Sequence, residues 1–134
     1  MNVINVEVIT PDNAAYKGEV ESITIPGTSG SFQVLYNHAP LMSTFEVGVV
    51  KLAETGGQEK KFATGGGTVE VRNNTVLILA ESFEEPEKID VDRAEKAKER
   101  ALDRLAHRSR PDIDEVRAEL ALRRAMNRLK VHSL

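Results

Sequence analysis

Apolar and polar residues alternate in short runs through the first 83 residues of the chain. The run 20–25 alternates with a period of two and is followed by Pro26 and Gly27. This period places alternate side chains on opposite faces and is typical of a strand with one buried face. Similar runs, most of them rich in β-branched residues, recur between turn-forming residues at 3–9, 31–35, 47–52, 60–63, 68–72 and 75–79.

Turn-forming residues separate these runs at close spacing. Asn73 and Asn74 stand between two runs and predict a two-residue hairpin turn, because Asn tolerates the positive φ that such a turn needs. The three glycines at 65–67 predict either a bulge or a close approach of two backbones. Many short strands with no helical pattern between them predict a β-sandwich or a small barrel.

From residue 90 the apolar period changes from that of a strand to that of a helix. The carboxylate of Asp90 is predicted to cap this first helix, and Asp92 suits the positive end of the helix dipole. The helix is predicted to end at about Arg108. One of its faces is apolar and consists of Ala94, Ala97, Ala101 and Leu105.

A break at 109–111 precedes a second helix. Asp112 and Glu115 have the spacing of a capping box, so the helix is predicted to start from a cap at Asp112 and to end at about Leu129. The two helices predict an antiparallel hairpin. Its core would be poor because it is mostly alanine, with a second stripe of Ala118, Ala121, Leu122, Ala125 and Leu129.

Composition changes abruptly across segment 84–94. All nine glycines and all six aromatic residues precede it. Residues 1–89 hold 6 Lys and Arg against 12 Asp and Glu, whereas residues 90–134 hold 12 against 9. This change predicts a sandwich domain at 1–85 and a hairpin domain at 86–134. A mildly basic helical arm suits an acidic protein surface.

Several classes of protein are disfavoured by what the chain contains. It has no Cys, so disulfide and thiolate chemistry are excluded. Its first residues lack the basic region of a signal peptide, and no apolar run approaches the ~18 residues that span a bilayer. No nucleophile, metal cluster or catalytic acid–base pair stands out, so no catalytic residue and no metal ligand is assigned.

His38 is the candidate for chemistry in the first half. The glycines that precede it, Gly27 and Gly30, are not followed by the Gly-Lys-Ser/Thr of a phosphate-binding loop. A lone histidine with no Cys or second His nearby is more often structural or at an interface than a general base or metal ligand. A small hydrolase that uses His38 stays a minor alternative.

Four arginines lie near the ends that an antiparallel hairpin would bring together. Arg93 and Arg100 share one face of the first helix, and Arg124 and Arg128 share one face of the second. Guanidinium groups around a helix N-terminus would make an anion or polyphosphate site. From spacing alone, a solvated charged face with intrahelical ion pairs is the favoured interpretation.

Taken in order, the motifs of the chain resemble the epsilon subunit of the F-type ATP synthase. The resemblance covers nearly the whole chain and rests on the order and spacing of several segments rather than on one motif. The segments are 8–11, 18–23, 25–27, 35–41, 65–66, 69–71, 76–80, 89–94 and 120–125, of which 37–41 is the most recognisable.

The resemblance implies an α+β protein, in which an N-terminal ten-stranded β-sandwich is followed by a C-terminal antiparallel two-helix hairpin. It implies a non-catalytic central-stalk subunit of the proton-translocating enzyme, peripheral on the cytoplasmic side of the bacterial inner membrane. The sandwich would contact the gamma subunit and the rotor ring of c subunits. The hairpin would reach the alpha and beta subunits and inhibit ATP hydrolysis. The residues at the rotor ring would be Asn37, His38, Ala39 and Pro40.

The resemblance also implies no required cofactor and a regulatory ATP site. Bound ATP would hold the hairpin folded down. The arginines would bind the phosphates, which makes the pocket the favoured interpretation of their spacing. The acidic residues would contact the adenine or ribose, and the apolar residues would pack on the base. The full set is Glu84, Ile89, Asp90, Arg93, Ala94, Arg100, Arg124 and Arg128.

A nucleic-acid-binding module that uses the basic hairpin is the alternative function. Such a module usually offers aromatic platforms or a strong basic stripe. Residues 90–134 contain no aromatic residue and only three more Lys and Arg than Asp and Glu. Steep salt-dependent binding to DNA would support this alternative.

Overall fold

Nine strands and two α-helices make up the computed structural model, which describes residues 2–134. The chain divides into a unit that ends at Glu85 and a second unit, Pro86–Leu134. The strands are β1 (Ile4–Ile9), β2 (Ala14–Ile25), β3 (Phe32–Val34), β4 (Leu41–Phe45), β5 (Gly48–Glu54), β6 (Glu59–Thr64), β7 (Gly67–Arg72), β8 (Thr75–Ala80) and β9 (Phe83–Glu84).

The predicted β-sandwich is confirmed, with nine strands rather than ten in the described residues. One further pairing, Gly27 with Phe45, stays a single bridge and does not grow into a strand. Pro26 has no amide hydrogen to donate, and a turn in which Gly30 donates to the Gly27 carbonyl bends the chain away. The extra strand therefore fails to form where proline and glycine interrupt the pattern.

Strand β2 connects one half of the sheet, strands β4, β7, β8 and β1, with the other half, strands β5, β6 and β9. The strand order is β4-β7-β8-β1-β2-β5-β6-β9, and β3 also pairs with β2. The first part of β2 pairs with β1, and the later part pairs with β5 and β3. Apolar side chains from both halves belong to one core, as expected when a single sheet folds over on itself.

A bulge in β2 lets the strand serve both halves. The pairing with β5 shifts register between Val20 and Ser22. As a result Val20 and Ile23, three residues apart, are both fully buried, which a strict period of two forbids. The members of this core are Ile4, Val6, Val8, Val20, Ile23, Ile25, Val34, Phe45, Val50, Leu52, Phe62, Val69, Val71, Val76, Ile78, Ala80 and Phe83.

The glycines at 65–67 bring backbones close together, as predicted. Gly66 has φ of 99°, and a Cβ there would lie 3.0 Å from the Phe45 carbonyl oxygen. A Cβ on Gly67 would collide with the Leu79 carbonyl group. The predicted turn is also confirmed, since Asn73 and Asn74 have φ of 49° and 59°.

Three aromatic rings in contact and one partly buried hydrogen bond join strands β2, β5, β6 and β9. Tyr16 packs edge-on to Phe62 at 5.7 Å, and Phe62 stacks on Phe83 at 4.4 Å between ring centroids. The Tyr16 hydroxyl donates to Glu54 Oε2 at 2.6 Å, and Lys60 Nζ lies 3.4 Å from Glu54 Oε1. This hydrogen bond and then Lys60 lower the pKa of Glu54, while burial and Glu54 raise the pKa of Tyr16.

Two helices form the second unit. Helix α1 is Val91–Ala106, and its predicted cap is confirmed because the Asp90 carboxylate accepts from the Arg93 amide at 3.0 Å. Helix α2 is Glu115–His132. The predicted cap at Asp112 is wrong. The cap is Asp114, whose carboxylate accepts from the Arg117 amide at 3.1 Å, so the helix starts at Glu115.

The helices pack as an antiparallel hairpin through small side chains. The His132 ring at the end of α2 contacts the carbonyl of Pro86, which precedes α1, so the two helices run in opposite directions. The buried residues within the helices are Ala94 and Ala101 of α1 and Ala118, Ala125 and Val131 of α2. None of the helices in the part of the chain that the structure describes is both long and apolar enough to cross a bilayer.

Replacing Tyr16 by Phe tests the hydrogen bond to Glu54. The lowered pKa of Glu54 means that the hydrogen bond stabilises the fold when the pH is above 4.5, the ordinary pKa of this carboxyl group. This stabilisation is lost as the pH falls through the lowered pKa of Glu54. We expect Y16F to lower the free energy of unfolding by about 1–2 kcal/mol at pH 7, and by less at pH 3.5. Urea unfolding at both pH values measures this difference.

The matched control is Tyr36→Phe, because Tyr36 is an exposed tyrosine of the same unit. It should unfold like the parent at both pH values. An equal loss of stability in Y16F at pH 7 and pH 3.5 would contradict an ionised Glu54 as the acceptor.

Candidate functional site

Segment 84–94 joins the two units and contains five of the eight predicted ATP-binding residues. Glu84 ends β9, where the neighbouring Phe83 is anchored by its stack on Phe62. A 3₁₀ turn, Pro86–Lys88, follows, and then the cap residue Asp90. The chain therefore passes from an anchored strand to a capped helix within a few residues.

The two apolar residues predicted to pack on the base are buried. Ala94 is fully buried on α1, and Ile89 is 5% exposed. In this conformation neither side chain offers appreciable surface to a ligand. Packing of an adenine on them would require these residues to move.

The antiparallel packing brings the predicted phosphate-binding arginines to one region of the hairpin. Arg93 lies in the first turn of α1, and Arg128 lies near the end of α2, so they share one end. Arg100 and Arg124 lie about 10 and 6 Å further along their helices. Arg93 and Arg100 are exposed, whereas Arg124 and Arg128 are half-buried with buried Nε atoms.

The N-terminus of α1 is less suited to an anion than its position suggests. The carboxylate of Asp90 already accepts the Arg93 amide, and Asp92 adds a second negative charge in the first turn. These carboxylates satisfy the positive end of the helix and repel phosphate there. Any anion at this end of the hairpin must be held mainly by guanidinium groups.

His132 is a residue that the sequence reasoning missed. Its Nδ1 lies 3.0 Å from the Pro86 carbonyl oxygen, and because a carbonyl only accepts, Nδ1 carries the hydrogen. The bond joins the last turn of α2 to the start of the 3₁₀ turn, 46 positions earlier in the chain. No local pattern signals such a distant pair, although a histidine in the last helical turn is a common helix-end residue.

The predicted interface residues Asn37, His38, Ala39 and Pro40 form an exposed loop between β3 and β4. His38 donates its amide to the Leu35 carbonyl at 3.2 Å, and its Nδ1 lies 2.7 Å from the Ala39 carbonyl oxygen. Leu35 is 52% and Tyr36 42% exposed. The loop thus presents apolar surface, and the ring of His38 contacts the backbone carbonyl of the next residue.

The described residues 2–134 contain no group of three or more His, Cys, Asp or Glu with the geometry of a metal site. His107 contacts the Asp103 carbonyl of its own helix, and His132 contacts Pro86. Within the hairpin, His107 follows the end of α1 and His132 lies at the end of α2, so these two histidines are at opposite ends of the antiparallel pair. Fold and site together define a protein with an N-terminal β-sandwich and a C-terminal basic two-helix hairpin.

Comparisons with known sequences extend over both units. The family model of the ATP synthase delta/epsilon chain β-sandwich domain matches residues 3–86, and that of the delta/epsilon long α-helix domain matches residues 87–133. The chain therefore belongs to the ATP synthase delta/epsilon chain family.

Full-length relatives carry the name ATP synthase epsilon chain. The one from Bacillus pumilus is 42% identical over 131 residues, and the one from Halalkalibacterium halodurans is 45% identical over 131 residues, each match covering 98% of both chains. The one from Desulfitobacterium hafniense strain Y51 is 48% identical over 122 residues, which are 91% of this chain and 90% of that one.

Solved structures confirm the fold. A chain of the Euglena gracilis mitochondrial ATP synthase superposes with a TM-score of 0.83 at 21% identity, covering 100% of this chain and 83% of that one. A chain of the Tetrahymena thermophila mitochondrial ATP synthase central stalk and c-ring superposes with a TM-score of 0.67 at 18% identity, covering 96% of each. At these identities the likeness is one of fold.

Replacing His132 by Ala tests whether the bond to Pro86 holds the hairpin end. We expect amide hydrogen exchange in the last turn of α2 to accelerate about two- to tenfold, since a lost hydrogen bond costs about 0.5–1.5 kcal/mol. Mass spectrometry of peptides from 126–134 measures this rate.

The matched control is His107→Ala, because His107 also contacts a backbone carbonyl, but within its own helix. It should leave exchange in the last turn of α2 unchanged. Equal acceleration by both variants would show that His132 does not act through Pro86.

Proposed function

We propose that the chain is a non-catalytic central-stalk subunit of a proton-translocating bacterial F-type ATP synthase and restrains ATP hydrolysis through its C-terminal hairpin. The observation that carries the proposal is the match to ATP synthase epsilon chains of bacteria over nearly the full length of both units. The subunit is peripheral and lies on the cytoplasmic side of the inner membrane.

The two units would have different partners. The β-sandwich, which has its own large aliphatic core, would dock on the gamma subunit and the c ring. Its loop with Asn37, His38, Ala39 and Pro40 presents apolar surface toward the ring. The hairpin carries the basic excess of residues 90–134 and would dock on acidic segments of the alpha and beta subunits.

ATP would act as a regulatory ligand of the hairpin. Arg93 and Arg128 share one end of the antiparallel pair, and guanidinium forks match phosphate oxygens. Arg100 and Arg124 would extend this basic surface along the hairpin, and Glu84 and Asp90 would contact the adenine or ribose. Ile89 and Ala94 are buried and would have to move before they could pack on the base. If only the packed hairpin binds ATP, each tenfold excess over the dissociation constant stabilises it by about 1.4 kcal/mol.

Deleting the hairpin tests the regulatory role. The assembled enzyme that contains a chain truncated after Glu85 should hydrolyse ATP several-fold faster than the enzyme with the full chain, because the inhibitory arm is absent. ATPase activity of the reconstituted catalytic head measures this effect. Equal activities with the truncated and full-length chains would contradict the proposal.

Replacing two arginines tests the ATP site. Arg93→Ala with Arg128→Ala should weaken ATP binding to the full-length chain at least about tenfold, since each charge-assisted hydrogen bond contributes about 1.5–3 kcal/mol. Isothermal titration with ATP measures the dissociation constant.

The matched control replaces Arg104 and Arg117, which lie near the opposite end of the hairpin. This control removes the same charge and should bind ATP nearly as well as the parent. If both double variants lose affinity equally, the effect is one of net charge and not of a site.

A further inference from the structure

We infer that Asn74 is a positioning residue that holds loop 35–40 in the conformation that meets the rotor ring. The inference rests on the proposed ring contact of this loop. It is carried by a hydrogen bond of 2.6 Å from the Asn37 amide to Asn74 Oδ1. The two residues are 37 positions apart, so the bond ties the loop to a distant turn of the sheet.

Residues 35–38 form a tight turn in the loop. The His38 amide donates to the Leu35 carbonyl at 3.2 Å, and Asn37 has φ of 64°. A positive φ only at the third residue defines a type II turn. Such turns favour Pro at the second position and Gly at the third, and this chain has Tyr36 and Asn37 there. The type II conformation is therefore only weakly specified by the local sequence.

The central peptide of this turn has an alternative orientation. A flip of the peptide between Tyr36 and Asn37 converts type II to type I, in which φ of the third residue is about −90°. The flip would relieve the positive φ of Asn37. It would also turn the Asn37 amide away from Asn74. The hydrogen bond to Asn74 Oδ1 thus selects the type II orientation.

Asn74 is well placed to fix this orientation because its own backbone is fixed. It lies in the tight turn between β7 and β8 with φ of 59°. Its carbonyl oxygen accepts from the Asn5 amide at 2.9 Å, next to the parallel pairing of β1 and β8. Its Nδ2 also lies 3.4 Å from Asn37 Oδ1. The Asn74 side chain therefore anchors the exposed loop to the sheet.

The consequence concerns the exposed apolar side chains of the loop. Tyr36 contributes to the peptide that flips, and Leu35 precedes it. Leu35 is 52% and Tyr36 42% exposed. A flip would reverse the Tyr36 carbonyl and the Asn37 amide beside these side chains, because type I and type II turns differ in the orientation of their central peptide. A loop that samples both orientations must be ordered at the moment of binding, which weakens the complex.

Asn74→Gly tests the inference, because glycine keeps the positive φ of the turn and removes the side chain. The assembled head and stalk carrying this variant should bind detergent-solubilised c ring about two- to tenfold more weakly than the parent. In the isolated chain, the amide-to-α coupling constant of Asn37 should shift toward that of a negative φ. Thermal unfolding identifies any general loss of stability.

Two variants serve as matched controls. Asn73→Gly changes the neighbouring residue of the same turn, which also has a positive φ and is exposed, so it should bind the ring like the parent. Asn74→Asp keeps an acceptor oxygen for the Asn37 amide and should restore both ring binding and the coupling constant. A loss of binding shared by Asn73→Gly and Asn74→Gly would overturn the inference.

A double variant, Leu35→Ala with Tyr36→Ala, distinguishes failure of the inference from failure of the proposed ring contact. If the double variant binds the ring weakly but Asn74→Gly binds like the parent, the positioning role is wrong and the ring contact stands. If neither change affects ring binding, the loop does not meet the ring and the inference falls with it.

Discussion

The unequal burial of apolar surface in the two units is the constraint on which the rest of the structure depends. The sandwich buries valine, isoleucine, leucine and phenylalanine side chains, each of which contributes about 1.5–3 kcal/mol when fully buried. The residues buried within the two helices are four alanines and one valine. An alanine methyl group contributes only about 0.8 kcal/mol. Apolar burial therefore stabilises the sandwich much more than the hairpin.

Polar contacts also stabilise the hairpin, because its apolar core is small. Asp90 and Asp114 cap the two helices, the Arg108 guanidinium pairs with Glu115 at 3.3 Å across the connection, and His132 closes the other end on Pro86. Each of these contacts is exposed and worth only about 1 kcal/mol. The hairpin therefore depends on several weak polar contacts as well as on its small apolar core.

Local chemistry accounts for what the sequence predicted correctly. The Asn73-Asn74 turn and the Asp90 cap each need one residue type at one backbone position, so the pattern is sufficient. The second cap was misassigned because Asp112 and Asp114 both precede Glu115, and spacing alone favoured the wrong one. The burial of both Val20 and Ile23 depends on a bulge that only the partner strand reveals.

Long-range pairs could not be predicted at all. Asn37 with Asn74 and His132 with Pro86 are joined by folding and not by any sequence spacing. The arginine positions of the candidate ATP site followed from helical periodicity and an antiparallel hairpin. The burial of Ala94 and Ile89 did not, because it depends on packing partners. The sequence therefore predicted which charged residues share a helix face, but it did not predict which side chains are accessible.

The parallel pairing of β1 with β8 has a consequence for how the chain folds during synthesis. Asn5 is made early but pairs with Thr75, so β1 must wait for most of the sandwich to leave the ribosome before its second edge is covered. Until then the β8 side of β1 is an open strand edge, which is the kind of surface that chaperones protect and aggregates recruit. The hairpin is synthesised after the sandwich strands, and the hydrogen bonds within its helices join residues that are close in sequence. Its two helices should therefore form quickly.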